Sequence, residues 1–336
     1  MLNKVTEDLK NYLRCKKIYN VILSISGGID SIVLLAILVK IRKSYKELNI
    51  SLYHINYNMH LNSNKSYKLC QSLSYEYKLT FYSDDIKISN SNFESKARTI
   101  RYDNLKNIVS KHAIQLILTA HHYDDQIETL IMKHEENADW VSFLGIREKY
   151  NTIYRPFLDV HKKHIYQYAK KNNLIWIDDT SNDLQIYKRN RIRFLIKKNT
   201  YSKKFIIKLL KKHILAKKNI NYFNKVYREN ISQLILEQSN NNLKVKLTCL
   251  NLFNTIEFKL FINKILLEYF NIKSIFCSRS HWINLYKFLL KSKQGSKYII
   301  SRNIVVIKDR GMFILFIDHT IDLNFSEKLQ LKKINW

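Results

Sequence analysis

The sequence predicts an α/β fold: a parallel sheet with helices on both faces, followed by a smaller α+β C-terminal domain. Three observations predict it. Short β-branched apolar runs alternate with helix-length segments through the first part of the chain; a Gly-Gly pair separates the first such run from the first long apolar helix; and from residue 188 the composition turns to Lys and Arg with no acidic residue until after 228. Strands alternating with helices favour parallel pairing, because each crossover helix returns the chain to the same end of the sheet.

In chain order, residues 1–17 mix charges with apolar side chains at helical spacing and lack the continuous apolar core of a signal sequence. Val21-Ile22-Leu23-Ser24-Ile25 reads as a buried parallel strand, and 32–39 as a mostly buried helix. Strands are expected over 50–55, 79–82 and 114–119, and helices over 64–77, 93–111 and 124–134. In such sheets ligands bind beyond the carboxyl ends of the strands. Residues 26–31, 54–57 and 120–125 therefore fall on one rim. Between 188 and 228 there are fifteen Lys or Arg interleaved with Ile, Leu and Phe, which suggests basic amphipathic helices. Helices over 256–272 and 282–290 and strands over 298–300, 304–307 and 313–317 complete a small mixed domain. The expected division is 1–199, 200–317 and a tail, 318–336.

A chain of 336 residues suggests two domains. Its 57 Lys+Arg against 28 Asp+Glu give +29, a field that favours polyanions such as RNA, DNA or an anionic membrane. Part of that charge reflects a composition heavy in Ile, Lys, Asn and Tyr and poor in Gly, Pro and Ala. The longest apolar stretch, residues 32–39, falls far short of the roughly 20 residues of a bilayer span, so a soluble, cytoplasmic protein with no membrane partner is expected. Cys15, Cys70, Cys249 and Cys277 form no Cys-x-x-Cys pair, which leaves metal, iron–sulfur and disulfide frameworks unsupported.

Two of only five glycines, Gly27 and Gly28, lie in Ser26-Gly27-Gly28-Ile29-Asp30-Ser31. Strand, glycine loop and helix make a phosphate-binding arrangement: the backbone approaches the anion closely, and the helix N-terminus offers free N–H groups and a positive dipole end. Neither Gly-x-x-x-x-Gly-Lys-Ser/Thr nor Gly-x-Gly-x-x-Gly occurs, so the commoner nucleotide loops are excluded. Asp30 can both cap the helix and hold Mg²⁺. In the segment from Thr119 to Thr129, Asp125 and Glu128 share a helix face with His121 one turn earlier. That constellation suits an ammonium substrate; the plainer reading is an acidic first turn that complements the helix dipole. Arg98 and Arg101, three apart on a helix, suit phosphate or the charge that develops in adenylation, or else a solvated face. Lys188, Arg189, Arg191 and Arg193 form a phosphate-binding candidate or a solvated surface.

Ser-Gly-Gly-x-Asp-Ser after a strand is similar to the loop of the PP-loop ATP pyrophosphatases, with their adenine nucleotide alpha hydrolase-like fold. In combination, Ser26–Ser31, Glu94–Tyr102, Thr119–Thr129, Arg155-Pro156-Phe157-Leu158, Trp176–Asn182 and Tyr187–Arg193 resemble one family of that group, the tRNA(Ile)-lysidine synthetases. The resemblance implies a carbon–nitrogen ligase that uses ATP and Mg²⁺. ATP adenylates the C2 oxygen of the wobble cytidine of tRNA-Ile with a CAU anticodon; free L-lysine then displaces AMP, so that AUA is read as isoleucine. It implies that Ser26, Gly27, Gly28, Ile29, Asp30 and Ser31 hold ATP, with Asp30 near Mg²⁺. Arg98, Arg101 and His121 would neighbour the adenylated base, and Asp125 and Glu128 would receive the lysine ammonium. Arg189, Asn190 and Arg193 would contact tRNA, and a homodimer is a further expected partnership. Where the family usually carries Arg-Gly-Ser-Gly, this chain has Glu136-Asn137-Ala138-Asp139, and the further C-terminal domain of many relatives is expected to be absent. The rival readings are another PP-loop tRNA-modifying enzyme and a non-catalytic basic RNA-binding protein.

Overall fold

In a computed structural model, which describes residues 1–57, 62–86, 93–178, 188–272, 275, 277–301 and 303–317, the chain divides into two units, Met1–Ile214 and Leu215–Trp336. The division falls inside a helix, Lys203–Leu234, whereas the sequence reading placed a boundary after residue 199. The tail 318–336, and residues 179–182 and 187 of two of the quoted motifs, lie outside the described residues.

The first unit opens with α1 (Leu2–Cys15), β1 (Asn20–Ser24), α2 (Ile29–Ser44), β2 (Asn49–Asn56), α3 (Ser63–Glu76) and β3 (Thr80–Asp85). It continues through α4 (Phe93–Lys111), β4 (Leu116–Leu118), α5 (Tyr123–Glu135), a 3₁₀ turn (Trp140–Leu144), β5 (Lys149–Tyr150), β6 (Ile153–Tyr154), α6 (Lys162–Lys171) and α7 (Lys188–Lys197). The sheet order is β3-β2-β1-β4-β6-β5, parallel throughout except for β5, which pairs antiparallel with β6 at the edge. The strict alternation of strand side chains divides the sheet residues between two cores. Val21, Leu23, Ile50, Leu52, Leu116 and Leu118 pack with α1, α2 and α6 residues on one face; Ile22, Tyr53, Ile55 and Ile117 pack with Leu105 of α4 on the other. A sheet buried on both faces explains why its strands read as continuous apolar runs.

In the second unit, strands β7 (Ile235–Gln238), β8 (Asn242–Lys246), β9 (Lys297–Ser301), β10 (Ile304–Asp309) and β11 (Met312–Ile317) form an antiparallel sheet of order β7-β8-β11-β10-β9. With it come the long helix α8 (Lys203–Leu234), which crosses the division, then α9 (Cys249–Leu252), α10 (Thr255–Phe270) and α11 (Arg279–Lys291). Phe253, Phe258, Phe261, Trp282 and Phe313 fill its core. Helix α10 starts on a capping box: Asn254 Oδ1 accepts from the Ile256 and Glu257 amides, and Glu257 returns a bond to the Asn254 amide. Among the described residues no helix is long and apolar enough to cross a membrane.

Candidate active site

The loops after β1, β2 and β4, drawn together by parallel pairing, line one cavity of about 470 Å³. Its walls include Ser24–Ser26, Gly28–Ser31, His54–Tyr57, Arg101, Thr119–His122, Asp125, Lys162, Arg189, Asn190 and Arg193. The first turn of α2, the His122 N-cap and Asp125 of α5, and Lys162 at the start of α6 all line it.

Gly27 is required by its backbone: φ is +82°, and a Cβ there would stand 3.0 Å from Ser66 Cβ. Gly28, the N-cap of α2, has an ordinary φ of −78° and no such crowding, so any demand for glycine there comes from what approaches the loop. The two serines tie the turn together. Ser31 Oγ donates to Gly28 O (2.9 Å) and accepts from the Ser26 amide (3.2 Å), while Ser26 Oγ accepts from the Gly28 amide (3.3 Å). The Ile177 amide donates to Gly27 O and braces the loop.

Asp30 sits in the first turn of α2. Its Oδ2 lies 3.3 Å from Lys162 Nζ and 3.7 Å from His122 Nε2, while its buried Oδ1 has no hydrogen-bond partner among the described residues. A buried carboxylate oxygen with no donor is the kind of group that a cation completes. Mg²⁺ is commonly held by one or two carboxylates plus phosphates and water, so a single carboxylate with a spare oxygen fits it. Among the described residues no cluster of three or more His, Cys, Asp or Glu exists that could hold a metal alone.

His54 and His121 are kept neutral. Burial lowers His54, whose Nδ1 lies 3.0 Å from Ile25 O. Burial, reinforced by Arg155, Arg189 and Arg98 against the opposing pull of Asp125, pushes His121 down to about 3. Its Nδ1 meets Thr119 Oγ1 at 2.9 Å. Arg101 lines the cavity and donates to Tyr57 Oη at 3.2 Å, while Arg98, one turn earlier, stands over the Tyr102 ring and is not among the cavity-lining side chains.

Asp125 and Glu128 are 8% and 3% exposed, and both meet arginines of α7. Arg189 spans them, Nη2 to Asp125 Oδ1 at 2.6 Å and Nε to Glu128 Oε2 at 2.8 Å; Arg193 grips Glu128 through Nε (2.8 Å) and Nη2 (3.1 Å). Asp125 also closes the capping box of α5 with His122. Burial works against its charge, but His122, Arg189 and His121 together with the His122 amide outweigh it and hold Asp125 down to about 2. The pairing extends along the helix, with Lys188 on Glu136 (3.0 Å) and Arg191 on Glu135 (2.9 Å). Each cation of that basic run therefore has a carboxylate on or just beyond α5. Within Glu136-Asn137-Ala138-Asp139, Glu136 thus takes Lys133 and Lys188, and Asp139 caps the 3₁₀ turn through Ser142.

Sequence reasoning missed Lys162 and the capping role of His122. A signal for Lys162 existed: two lysines, 162 and 163, open α6, where the helix dipole disfavours cations unless an anion faces them.

A phosphate-loop fold with its site at the carboxyl edge of a parallel sheet defines the class, and the chain belongs to it: the PP-loop domain family, an ATP-binding group whose model matches residues 1–199. Among curated relatives, the tRNA(Ile)-lysidine synthase of Mycoplasma mycoides subsp. mycoides is 31% identical over 256 residues, covering 72% of this chain and 61% of the relative. The protein of the same name from Buchnera aphidicola subsp. Schizaphis graminum is 35% identical over 183 residues, 53% of this chain and 40% of the relative. The matched part of the chain thus spans less than two thirds of either relative. Among solved structures, a U34-tRNA thiolase, NcsA from Methanococcus maripaludis with its [4Fe-4S] cluster, shares the fold at TM-score 0.52 and 14% identity, over 64% of this chain and 78% of that one.

Proposed function

We propose that the protein is a tRNA(Ile)-lysidine synthase, a carbon–nitrogen ligase that uses ATP to join free L-lysine to the wobble cytidine of tRNA-Ile bearing CAU. The observation that carries the reading is one cavity lined by both the Ser26–Ser31 phosphate loop and the acidic start of α5, in a chain whose curated relatives bear that name.

In the first step the cytosine C2 oxygen bonds to the α-phosphorus of ATP and pyrophosphate leaves. The loop amides and α2 dipole hold the phosphates, and Asp30 would hold Mg²⁺, whose charge would offset that of the phosphates. His121, kept neutral, and Arg101 neighbour the base; Arg98 acts from behind, through the field it adds at His121. In the second step the lysine side-chain amine bonds to C2 and AMP leaves with the C2 oxygen. Asp125 and Glu128 receive the lysine ammonium, which must lose a proton to solvent before it attacks. Both carboxylates are already charge-balanced by Arg189 and Arg193. Lysine entry is therefore an exchange in which a guanidinium gives way, and tRNA phosphates, the other partners proposed for Arg189, Asn190 and Arg193, offer it a destination.

Purified protein should release pyrophosphate from ATP in the presence of tRNA and incorporate labelled lysine only into tRNA-Ile(CAU). Modification without lysine, or none with intact tRNA, would sink the reading. A sulfur-transfer activity is disfavoured because the four cysteines form no Cys-x-x-Cys pair, and two of them, Cys70 and Cys249, are buried with thiols that burial pushes up to about 12.

A further inference from the structure

The PP-type loop of this chain contains no lysine, although cleaving ATP between its α- and β-phosphates leaves a highly charged pyrophosphate that needs cationic help. Four described cations line the cavity: Arg101, Lys162, Arg189 and Arg193. Three have hydrogen-bond partners outside the loop: Arg101 on Tyr57, and Arg189 and Arg193 on Asp125 and Glu128. Lys162 faces the loop, with Nζ 3.3 Å from Asp30 Oδ2.

Its placement is specific. Lys162 is the first residue of α6, a position where the helix dipole repels a cation. The Asp124 carboxylate fixes its backbone, accepting from the Lys162 amide at 2.8 Å, and α6 packs against α2, whose N-terminus carries the loop. The side chain is half-exposed, which leaves the ammonium room to turn from Asp30 towards a phosphate held by the loop. We infer that Lys162 binds the β- and γ-phosphate oxygens of ATP, and hence the pyrophosphate that departs. This rests on the cavity being the ATP site. No proton or covalent bond moves through Lys162. It balances the charge that collects on the β-phosphate oxygen as the bond to the α-phosphorus breaks.

The test is calorimetric binding of ATP, pyrophosphate and AMP to the full chain and to Lys162→Ala and Lys162→Arg. Loss of a charge-assisted contact should weaken ATP and pyrophosphate by about 10- to 100-fold in Lys162→Ala, leave AMP within about 2-fold, and be largely restored in Lys162→Arg. A structural ion pair with Asp30 alone would move AMP and pyrophosphate together, or neither, and either result overturns the assignment. Wild-type protein that bound none of the three would sink the nucleotide site itself, and the assignment with it.

Discussion

Gly27 shows how little freedom a single position of the loop has. With φ at +82° and Ser66 Cβ 3.0 Å from where a side chain would begin, Gly27→Ala meets both backbone strain and a clash, and should cost on the order of 2 kcal/mol in a urea titration. Asp30 is a different kind of residue, because its spare Oδ1 serves no fold interaction among the described residues. Asp30→Asn should therefore fold normally and keep tRNA binding while pyrophosphate release is lost; a variant that still released pyrophosphate would end the metal role. His121 sets a pH dependence. Folded, it takes its proton only near pH 3; unfolded, near the ordinary 6.5, so between those values the unfolded chain binds the extra proton. Its contribution is complete above pH 6.5 and is lost as pH falls towards 3. Asp125, depressed from 3.8 to about 2, contributes above 3.8 and loses that contribution on the way to 2. His121→Gln should flatten the stability slope between pH 6.5 and 4, measured by denaturation at several pH values. An unaltered slope would mean the folded imidazole is hydrated.

At the scale of elements, α5 and α7 are joined by charge, and the pairs are unequal. Arg193 faces Glu128, which is 3% exposed; Arg191 faces Glu135 with its own side chain 52% exposed. Arg193→Ala leaves the buried Glu128 carboxylate with Arg189 as its remaining cation and should cost on the order of 2 kcal/mol, whereas Glu135→Gln should cost less than about 1 kcal/mol, both read from chemical unfolding. Equal effects would mean that Arg189 alone satisfies Glu128. Much of this layer was legible in the sequence because its signals are local. The periodicity of α4 and the β-branched runs of β1, β2 and β4 are complete within a few residues. The hairpin β5–β6 was not legible, since two-residue strands carry no period, and α6 was hidden by its cationic first turn and a His161 N-cap that makes no side-chain bond. The site was half legible for the same reason. The phosphate loop and the Asp125–Glu128 pair are short motifs, but Arg189 lies 64 residues from the Asp125 it grips, and no local pattern announces such a partner.

Across the whole molecule, the +29 charge and the fifteen cations between 188 and 228 have at least two origins. Four of the five on α7 are matched to carboxylates, so they belong to the first unit's own construction. Those on α8, from Lys203 to Lys218, lie on a helix whose lysines are available to a polyanion. Charge-neutral changes across Lys203, Lys204, Lys208, Lys211, Lys212, Lys217 and Lys218 should weaken tRNA binding and flatten its salt dependence. An unchanged slope would assign those lysines to compositional bias. The glycine loop at the N-terminus of α2 carries a practical corollary. A helix start of that kind attracts any small tetrahedral dianion. Protein purified in phosphate or sulfate should carry one of them into the assay as a competitor, so its apparent nucleotide affinity will depend on the buffer in which it was stored.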